Sequence, residues 1–559
     1  MTKNNILQTR KSGILREWIK NHFTFARILI LLILSGIILR ILTYWTDIPR
    51  FDGTYYATLG YNFLRYHDFL DLECVTTYAR SWTYPVYFAV FYYLFGFTIP
   101  VTKIASIFMS IAVLGVVYLT TRDLFDHQKA LVATAIIAVT STLIVITGKS
   151  WIENIVLLFF IPAVWALIKG FKDSRYIVVA SVFAGLTYYT KTDVGFMVII
   201  GGILAFAAWR FYYMRWSLFK DKNYYIAFIV ILLMALLRAE LIWSASESIL
   251  YTTQVASPSR IFTMGGFLRF LSQIPYHVLL LWSFFIFWVP ELKDSVKKIG
   301  AEYYSFLFLI IMGLTFLVIF HASGYPMFST SPLLRVSREY ITIIFVPALW
   351  LVLKNANLTG QKTSETFKSS FSELIVDKKR MCLILCSLFI AAGTAFIDDW
   401  LAIILIFGAF SFAIQSTRKR IMLMLMVLSI LSANSITGAY QPGYIEASEE
   451  ISRSVCDGDV IALVSIKGGG SLITNWVYPY ITNHNVSVVY YEKVDTPTFI
   501  MSQSNTTFAG YTFIDVYYGN VRPTILKRFV SRFFETDIVG VEKKGTGEAP
   551  IYLWRRASR

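Results

Sequence analysis

Long apolar stretches separated by short basic segments set the pattern of this chain. The first covers about Ile28–Trp45, and others fall near residues 101–121, 130–147, 152–168, 176–190, 194–209, 223–243, 270–290, 303–320, 340–353, 381–397, 400–416 and 421–437. At ~20 residues per crossing of a ~30 Å hydrocarbon core, each reads as one transmembrane helix. The run Tyr84–Ile99, bracketed by Pro85 and Pro100, is different. Its ~15 residues reach only ~22 Å as a helix, and almost no loop precedes Val101. It is expected to lie along the membrane surface. With it left out of the count, the basic segments Arg122–Lys129, Lys169–Arg175, Arg210–Lys222, Lys293–Lys298, Lys354–Arg380 and Arg418–Arg420 all fall on the side of the N-terminus. That is the positive-inside arrangement. The pattern therefore predicts an α-helical polytopic membrane protein with about thirteen spans, its N-terminus inside.

The flanks complete the expected organisation. Residues 1–27 are basic, and Ile14, Leu15, Trp18 and Ile19 with Arg16 and Lys20 suggest a cytoplasmic interfacial helix. Residues 28–437 form the membrane part, with a first outer loop at 46–100 holding two interfacial helices. From residue 438 to 559 the composition changes. Val460–Ser465, Val486–Tyr491 and Thr512–Tyr517 read as strands, and Tyr444–Ser454 and Thr524–Phe534 as helices. A small α/β domain outside the membrane is expected there. Gly468–Gly470 reads as a turn, and Asn485 and Asn505 open glycosylation triplets. The linker 355–378 is placed inside.

Composition agrees with this reading. Apolar residues make up 56% and charged residues only 15%, against roughly a quarter charged in soluble domains. The net charge of +16 is assigned to the inner loops rather than to a nucleic-acid surface. Four cysteines are too few for a disulfide scaffold. Cys382 and Cys386 share an apolar helix face; Cys74 and Cys456 both fall in outer segments, and a bridge between them is left open.

Candidate chemistry concentrates in the first outer loop. In Phe51-Asp52-Gly-Thr-Tyr-Tyr-Ala-Thr-Leu-Gly-Tyr-Asn-Phe-Leu-Arg65, Tyr55, Leu59 and Phe63 form one apolar helical stripe, with Thr58, Asn62 and Arg65 on other faces. Asp52 stands just ahead of the first turn, so its carboxylate is either an N-cap or a reactive group presented at the membrane surface.

These motifs resemble the polyprenyl-phosphate-sugar-dependent glycosyltransferases of the GT-C superfamily, in particular protein O-mannosyltransferases and lipid A aminoarabinose transferases. The likeness rests on Asp52-Gly-Thr-Tyr-Tyr-Ala, on Tyr84-Pro85-Val-Tyr running to Leu94-Phe95-Gly96, on Thr121-Arg122-Asp-Leu-Phe125, and on Arg338-Glu339-Tyr340 with Pro347. Gly53 stands where the family often has a second acidic residue; Asp68 and Asp71 are alternatives for that role. The resemblance implies an inverting hexosyl- or pentosyltransferase using a polyprenyl- or dolichyl-phosphate sugar at the extracytoplasmic face of the cell membrane. The acceptor is a protein, a lipid or a glycan; the other partners are membrane lipids, with no nucleic acid. The cofactor is left open: a divalent metal can take part but is not expected to be required. In such a reaction the lipid phosphate leaves as a stable anion, so the minimum set is a base for the acceptor hydroxyl and cations for the phosphate.

On that basis Asp52 and Glu153 are the candidate catalytic carboxylates. Lys191, Arg335 and Arg338 are candidate phosphate ligands, although Lys191 and Asp193 can also pair with each other. Arg238, Glu240, Tyr55 and His321 are candidates to line the substrate site, since intramembrane charges are costly and usually paired or functional. Arg40 is a weaker case of the same kind, since snorkelling to the surface would satisfy it. Two readings compete. A transporter or lipid flippase would place its charges at mid-membrane on broken helices, and no repeat of that kind is evident. An oligosaccharyltransferase-like enzyme would carry a Trp-Trp-Asp type signature, which Asn475-Trp476-Val-Tyr-Pro does not match.

Overall fold

The computed structural model describes residues 25–46, 52–67, 82–191, 215–244, 281–323, 330–358, 384–391, 399–412, 416–436, 439–441, 443–464, 487–490, 496–502, 506–517, 520–522 and 551–557, with single positions between 194 and 212, between 271 and 279, and at 414. Its helices follow the apolar runs: α1 Phe25–Thr46, α2 Asp52–Tyr66, α3 Thr83–Phe95, α4 Ile99–Leu124, α5 His127–Ala138, α6 Ser141–Gly148, α7 Glu153–Gly170, α8 Arg175–Thr190, α9 Lys222–Ser244, α10 Val289–Lys297, α11 Glu302–Ser323, α12 Thr330–Leu353, α13 Asp399–Ser411 and α14 Thr417–Ser435. The N-terminal segment 1–24 and the run near 194–209 lie wholly or largely outside the described residues. Among those described, α1, α4 and α7 are long and apolar enough to cross a membrane, and two bent pairs bring the number to as many as five. Only 17% of the apolar window of α1 is buried inside the protein. Ile30, Leu34 and Ile38 are about half exposed, which suits a helix whose outer face meets lipid rather than water.

Local signals explain several helix limits. Thr98 caps α4, its hydroxyl accepting from Val101 N at 3.3 Å, with Pro100 in the first turn. Asp126 caps α5, accepting from Lys129 N at 2.8 Å. As expected, α3 is a separate short helix, ending at Gly96.

The run 130–147 is not one straight helix. It bends by 56° between α5 and α6, with neither Gly nor Pro at the break. In a water-poor interior the freed backbone groups need partners, and the carbonyls of residues 136–139 each have one. Ile136 O accepts from Thr140 Oγ1 at 2.7 Å, Ile137 O from Arg40 Nη2 at 3.2 Å, Ala138 O from Arg40 Nη1, and Val139 O from Ser432 Oγ. Arg40 also donates to Gly36 O and, through Nε at 2.8 Å, to Ser110 Oγ. It is 1% exposed, so it does not snorkel, and its hydrogen bonds tie it to the broken helix. Gly36 makes this possible, because a Cβ there would stand 2.5 Å from Ala138 O.

Other runs shift at their ends. The segment expected as 270–290 continues through a 3-10 turn, Ile286–Trp288, into α10, and a 120° bend then leads into α11. Helix α12 starts ten residues before the expected 340. Its first turns carry Ser331, Arg335, Ser337 and Arg338, which hide them from a hydropathy window. Its other end is fixed by fully buried Trp350, whose Nε1 donates to Thr121 Oγ1 at 2.8 Å.

The C-terminal region has helix α15 Gly443–Ser454 and strands β1 Ala439–Gln441, β2 Val460–Val464, β3 Ser487–Tyr490, β4 Phe499–Ser502, β5 Tyr511–Tyr517, β6 Asn520–Arg522 and β7 Ile551–Arg556. Five form a mixed sheet in the order β3-β2-β4-β7-β5, with β2 parallel to β3 and β4, and β7 antiparallel to β4 and β5. Strands β1 and β6 pair separately. The three expected strands are present as β2, β3 and β5; β1, β4, β6 and β7 were not anticipated. The expected helix Thr524–Phe534 and the Gly468–Gly470 turn lie outside the described residues. Cys456 is an exposed free thiol, and Cys74 falls outside the described residues.

Candidate functional site

The break between α5 and α6 aims α6 at a tight corner, Lys149–Ile152, from which α7 departs. Ser150 sits in this corner with φ +55°, a left-handed conformation uncommon for a non-glycine residue. Its carbonyl accepts from the buried Tyr84 hydroxyl at 3.0 Å, so the first turn of α3 is tied to the corner. The start of α2 meets the same corner. A Cβ on Gly53 would stand 2.2 Å from Lys149 O and 2.8 Å from Ser150 O. Only a residue without a side chain permits that approach. It fixes the backbone next to Asp52 against the corner; the Asp52 side chain itself lies outside the described atoms.

Glu153, in the first turn of α7, is 2% exposed. Its Oε1 lies 2.8 Å from Lys191 Nζ. Helices α7 and α8 are antiparallel neighbours, so the N-terminus of one lies beside the C-terminus of the other. The carboxylate and the ammonium each complement the dipole of the helix that carries them. The Glu153 side chain is 3% exposed and that of Lys191 16%, which puts the cation at the rim and the carboxylate inside. Asp193, the alternative partner for Lys191, lies outside the described residues.

Three further contacts close this end. Thr83 and Thr190 share a hydrogen bond at 2.8 Å, the rings of Trp82 and Tyr189 meet edge-on at 5.1 Å, and those of Tyr56 and Tyr84 lie 5.8 Å apart. Within the enclosure, Ser150 Oγ, Thr58 Oγ1, Trp82 Nε1 and both amide atoms of Asn154 are buried without a hydrogen-bond partner among the described residues. Each such group costs about 1–3 kcal/mol, so the three atoms on Ser150 and Asn154, either side of the α7 start, mark a place where stability yields to some other requirement. Spacing alone does not reveal Ser150, Asn154 and Trp82, because each is ordinary in its local sequence.

The buried side of α2 also differs from the sequence expectation. Leu59 is buried, but Tyr55 and Phe63 are only half-buried, while Thr54, Thr58 and Asn62 are at most 3% exposed. The helix therefore turns a polar face into the protein. Tyr55 lies edge-on to Tyr56 at 5.5 Å.

The remaining candidates are placed by their helices alone. Helices α8 and α9 run parallel: Asn223 Nδ2 meets Ser174 Oγ at 2.8 Å near their starts, and Tyr189 OH donates to Met234 O at 2.6 Å further along. Arg238 follows Met234 by one turn, level with the end of α8, and Glu240 lies just beyond. Arg335 and Arg338 fall in the opening turns of α12, and His321 in the last turn of α11. The side chains of these five residues lie outside the described atoms. The structure thus brings Glu153, Lys191 and the backbone beside Asp52 to one end of the bundle. No group of three or more His, Cys, Asp or Glu able to hold a metal occurs among the described residues.

Residues 82–243 match the sequence profile of the family described as dolichyl-phosphate-mannose-protein mannosyltransferase. A sequence comparison with curated proteins gives no match. Among solved structures, ArnT from Cupriavidus metallidurans bound to undecaprenyl phosphate aligns at a TM-score of 0.56 and 11% identity, covering 95% of this chain and 98% of that one. The apo state of the same protein aligns at 0.55 and 11% identity, over 94% and 97%. The archaeal oligosaccharyltransferase AglB from Archaeoglobus fulgidus aligns at 0.48 and 13% identity, over 87% and 70%. With a mannosyltransferase profile over its early helices and the architecture of ArnT over nearly its whole length, the chain has the fold of the GT-C glycosyltransferases.

Proposed function

We propose that this protein is an inverting glycosyltransferase that moves a sugar from a polyprenyl- or dolichyl-phosphate donor to an acceptor hydroxyl at the extracytoplasmic face of the cell membrane. The contact of Gly53 with the Lys149–Ser150 corner carries this reading, because it sets Asp52 at the end of the bundle that holds the Glu153–Lys191 pair. The binding of undecaprenyl phosphate to ArnT, whose fold this chain shares, supports a lipid-phosphate donor. Asp52 is the general base. As the acceptor oxygen bonds to the anomeric carbon from one face, the bond to the phosphate oxygen breaks on the other. The acceptor proton passes to the carboxylate, and the lipid phosphate leaves with the bonding electrons. Lys191, Arg335 and Arg338 meet the departing phosphate. Glu153 is the second carboxylate and orients Lys191, while Tyr55, Arg238, Glu240 and His321 line the substrate site. Residues 438–559 lie on the same outer side.

One observation favours a transporter: the bend between α5 and α6, of the kind that exposes backbone to a solute. Here, however, the carbonyls of residues 136–139 are taken by Thr140, Arg40 and Ser432, so the break has no free ladder to offer. Asp52→Asn tests the enzymatic reading. Asn has nearly the shape of Asp at the first residue of α2, so thermal stability should fall little, while removal of a general base should lower sugar transfer by ~10²–10⁴-fold. Wild-type transfer in purified Asp52→Asn would sink the assignment.

A further inference from the structure

Helices α7 and α8 have a second charged end. The 18 residues of α7 rise ~1.5 Å each, which puts that end about 27 Å from the Glu153–Lys191 pair. There α12 stops at Leu353, and the corner Lys354–Asn355 behind it gathers ammonium groups from other segments. Lys129 Nζ donates to Lys354 O at 3.2 Å, and Lys298 Nζ to Asn355 Oδ1 at 3.0 Å. Lys354 Nζ lies over the Tyr303 ring at 3.9 Å and 5.2 Å from the centre of Tyr304. Lys172 is close enough for its charge to act on Lys354, together with those of Lys298 and Lys129.

The corner is rigid. Asn355 Oδ1 also accepts from Tyr304 OH at 2.9 Å, and Asn355 Nδ2 donates to Ser295 Oγ at 2.8 Å. Nearby carboxylates are engaged elsewhere: Asp123 with Lys169 and Trp165, Asp173 with Arg175, and Glu291 with Arg420 and Thr417. Asp126 caps α5 and its charge also acts on Lys129 without pairing with it, and exposed Asp294 acts on Tyr304. None of the four lysines is ion-paired among the described residues. Partial burial and the three neighbouring ammonium groups hold Lys354 below the usual lysine range. The positive-inside rule explains which side these lysines occupy, but not why segments distant in sequence converge on two residues.

We propose that Lys129, Lys172, Lys298 and Lys354 form a phosphate-binding site at the end of the bundle opposite the proposed transfer site, filled by an anionic lipid headgroup or by free phosphate. A phosphate oxygen placed among four ammonium groups replaces mutual repulsion with charge-assisted hydrogen bonds, and at a helix end it lies where headgroups sit.

The test uses the full-length protein in a neutral detergent. Phosphatidylglycerol, phosphatidylcholine and inorganic phosphate are titrated separately while thermal unfolding is followed. A ligand that binds the folded state raises Tm with its concentration. Phosphatidylglycerol should raise Tm by a few degrees and phosphatidylcholine should not. A shift with inorganic phosphate alone would assign the site to a soluble anion; no shift with either phosphate source would overturn the proposal. In Lys172→Gln/Lys298→Gln, both positions being exposed, the half-maximal concentration should rise about tenfold or more, and the same is expected of Lys129→Gln/Lys354→Gln. Lys293→Gln/Lys297→Gln removes the same charge from the same end outside the cluster and should leave the titration unchanged. Equal losses in the cluster and control variants would mean diffuse surface attraction and would refute the site, as would full retention in both cluster variants.

Discussion

Breaking the Glu153–Lys191 pair from each side separates what it does for stability from what it does for chemistry. Removing one partner of a buried ion pair leaves a charge without compensation and costs about 3–5 kcal/mol. The two sides are not equivalent, since the Glu153 side chain is 3% exposed and that of Lys191 16%. An ammonium without its carboxylate can reach water at the rim, whereas the carboxylate without its ammonium cannot. Glu153→Gln should therefore lie near ~3 kcal/mol and Lys191→Met near ~5 kcal/mol. The double variant Glu153→Leu/Lys191→Met replaces both charges by apolar groups of similar size, which is often neutral or stabilising. It should fold nearly as well as the wild type and still fail to transfer sugar. Chemical unfolding in mixed micelles gives the stabilities, and transfer from a polyprenyl-phosphate-linked sugar gives the activities. Equal destabilisation in the two single variants would refute the burial reasoning. A double variant with wild-type transfer would reduce the pair to scaffolding.

Gly53→Ala pushes a methyl group against Lys149 O, 2.2 Å away. Such overpacking should cost about 1–3 kcal/mol and, by moving Asp52, lower transfer by ~10²-fold; unchanged transfer would show that the contact does not position the base. Arg338→Ala should weaken binding of the lipid-phosphate donor without unfolding the protein, and Arg338→Lys should rescue only in part, since the guanidinium fork suits phosphate better. Unchanged donor affinity in Arg338→Ala would remove it from the site. In a cysteine-free background, an impermeant thiol reagent applied to intact cells should label a cysteine placed at 505 and spare one at 365. The reverse pattern would invert the proposed topology.

Among the described residues, the apolar runs showed which stretches are helical, because a membrane-spanning helix is a local object that can be read without its neighbours. They also revealed the short helix α3 through its length and prolines. What they missed depends on contacts made across long separations. The bend after Ala138 has no Gly or Pro to announce it, and its carbonyls are satisfied by Arg40 and Ser432 from elsewhere in the chain. The polar inner face of α2, with Thr58 and Asn62 buried, contradicts the apolar stripe because that helix packs on other helices and not on lipid alone. Strand β7 ends in Arg555 and Arg556, and β4 spans only Phe499–Ser502, so neither shows the alternation by which strands are recognised. Of the candidate site, Glu153 and Lys191 could be proposed from sequence singly, but their pairing required knowing that α7 and α8 are antiparallel neighbours.

Arg40 also sets an order of assembly. Its acceptors Ile137 O and Ala138 O are made 97 and 98 residues after it, and Ser110 follows it by 70. When the first helix leaves the insertion machinery, none of them exists. Even at a helix centre an arginine costs only about 2.5–3.5 kcal/mol, against gains of roughly 0.3–0.6 kcal/mol for each central Leu, Ile, Phe or Val. The many Leu and Ile residues of α1 let it enter the bilayer with a charge whose one available acceptor is Gly36 O, in its own helix. Its long side chain reaches for the surface in the meantime, since Arg40 lies within two turns of the end of α1. The guanidinium turns inward only after the bent third span arrives, so the first helix to be inserted is among the last to be locked. A nascent chain that ends before residue 138 leaves that helix in the membrane but unfinished.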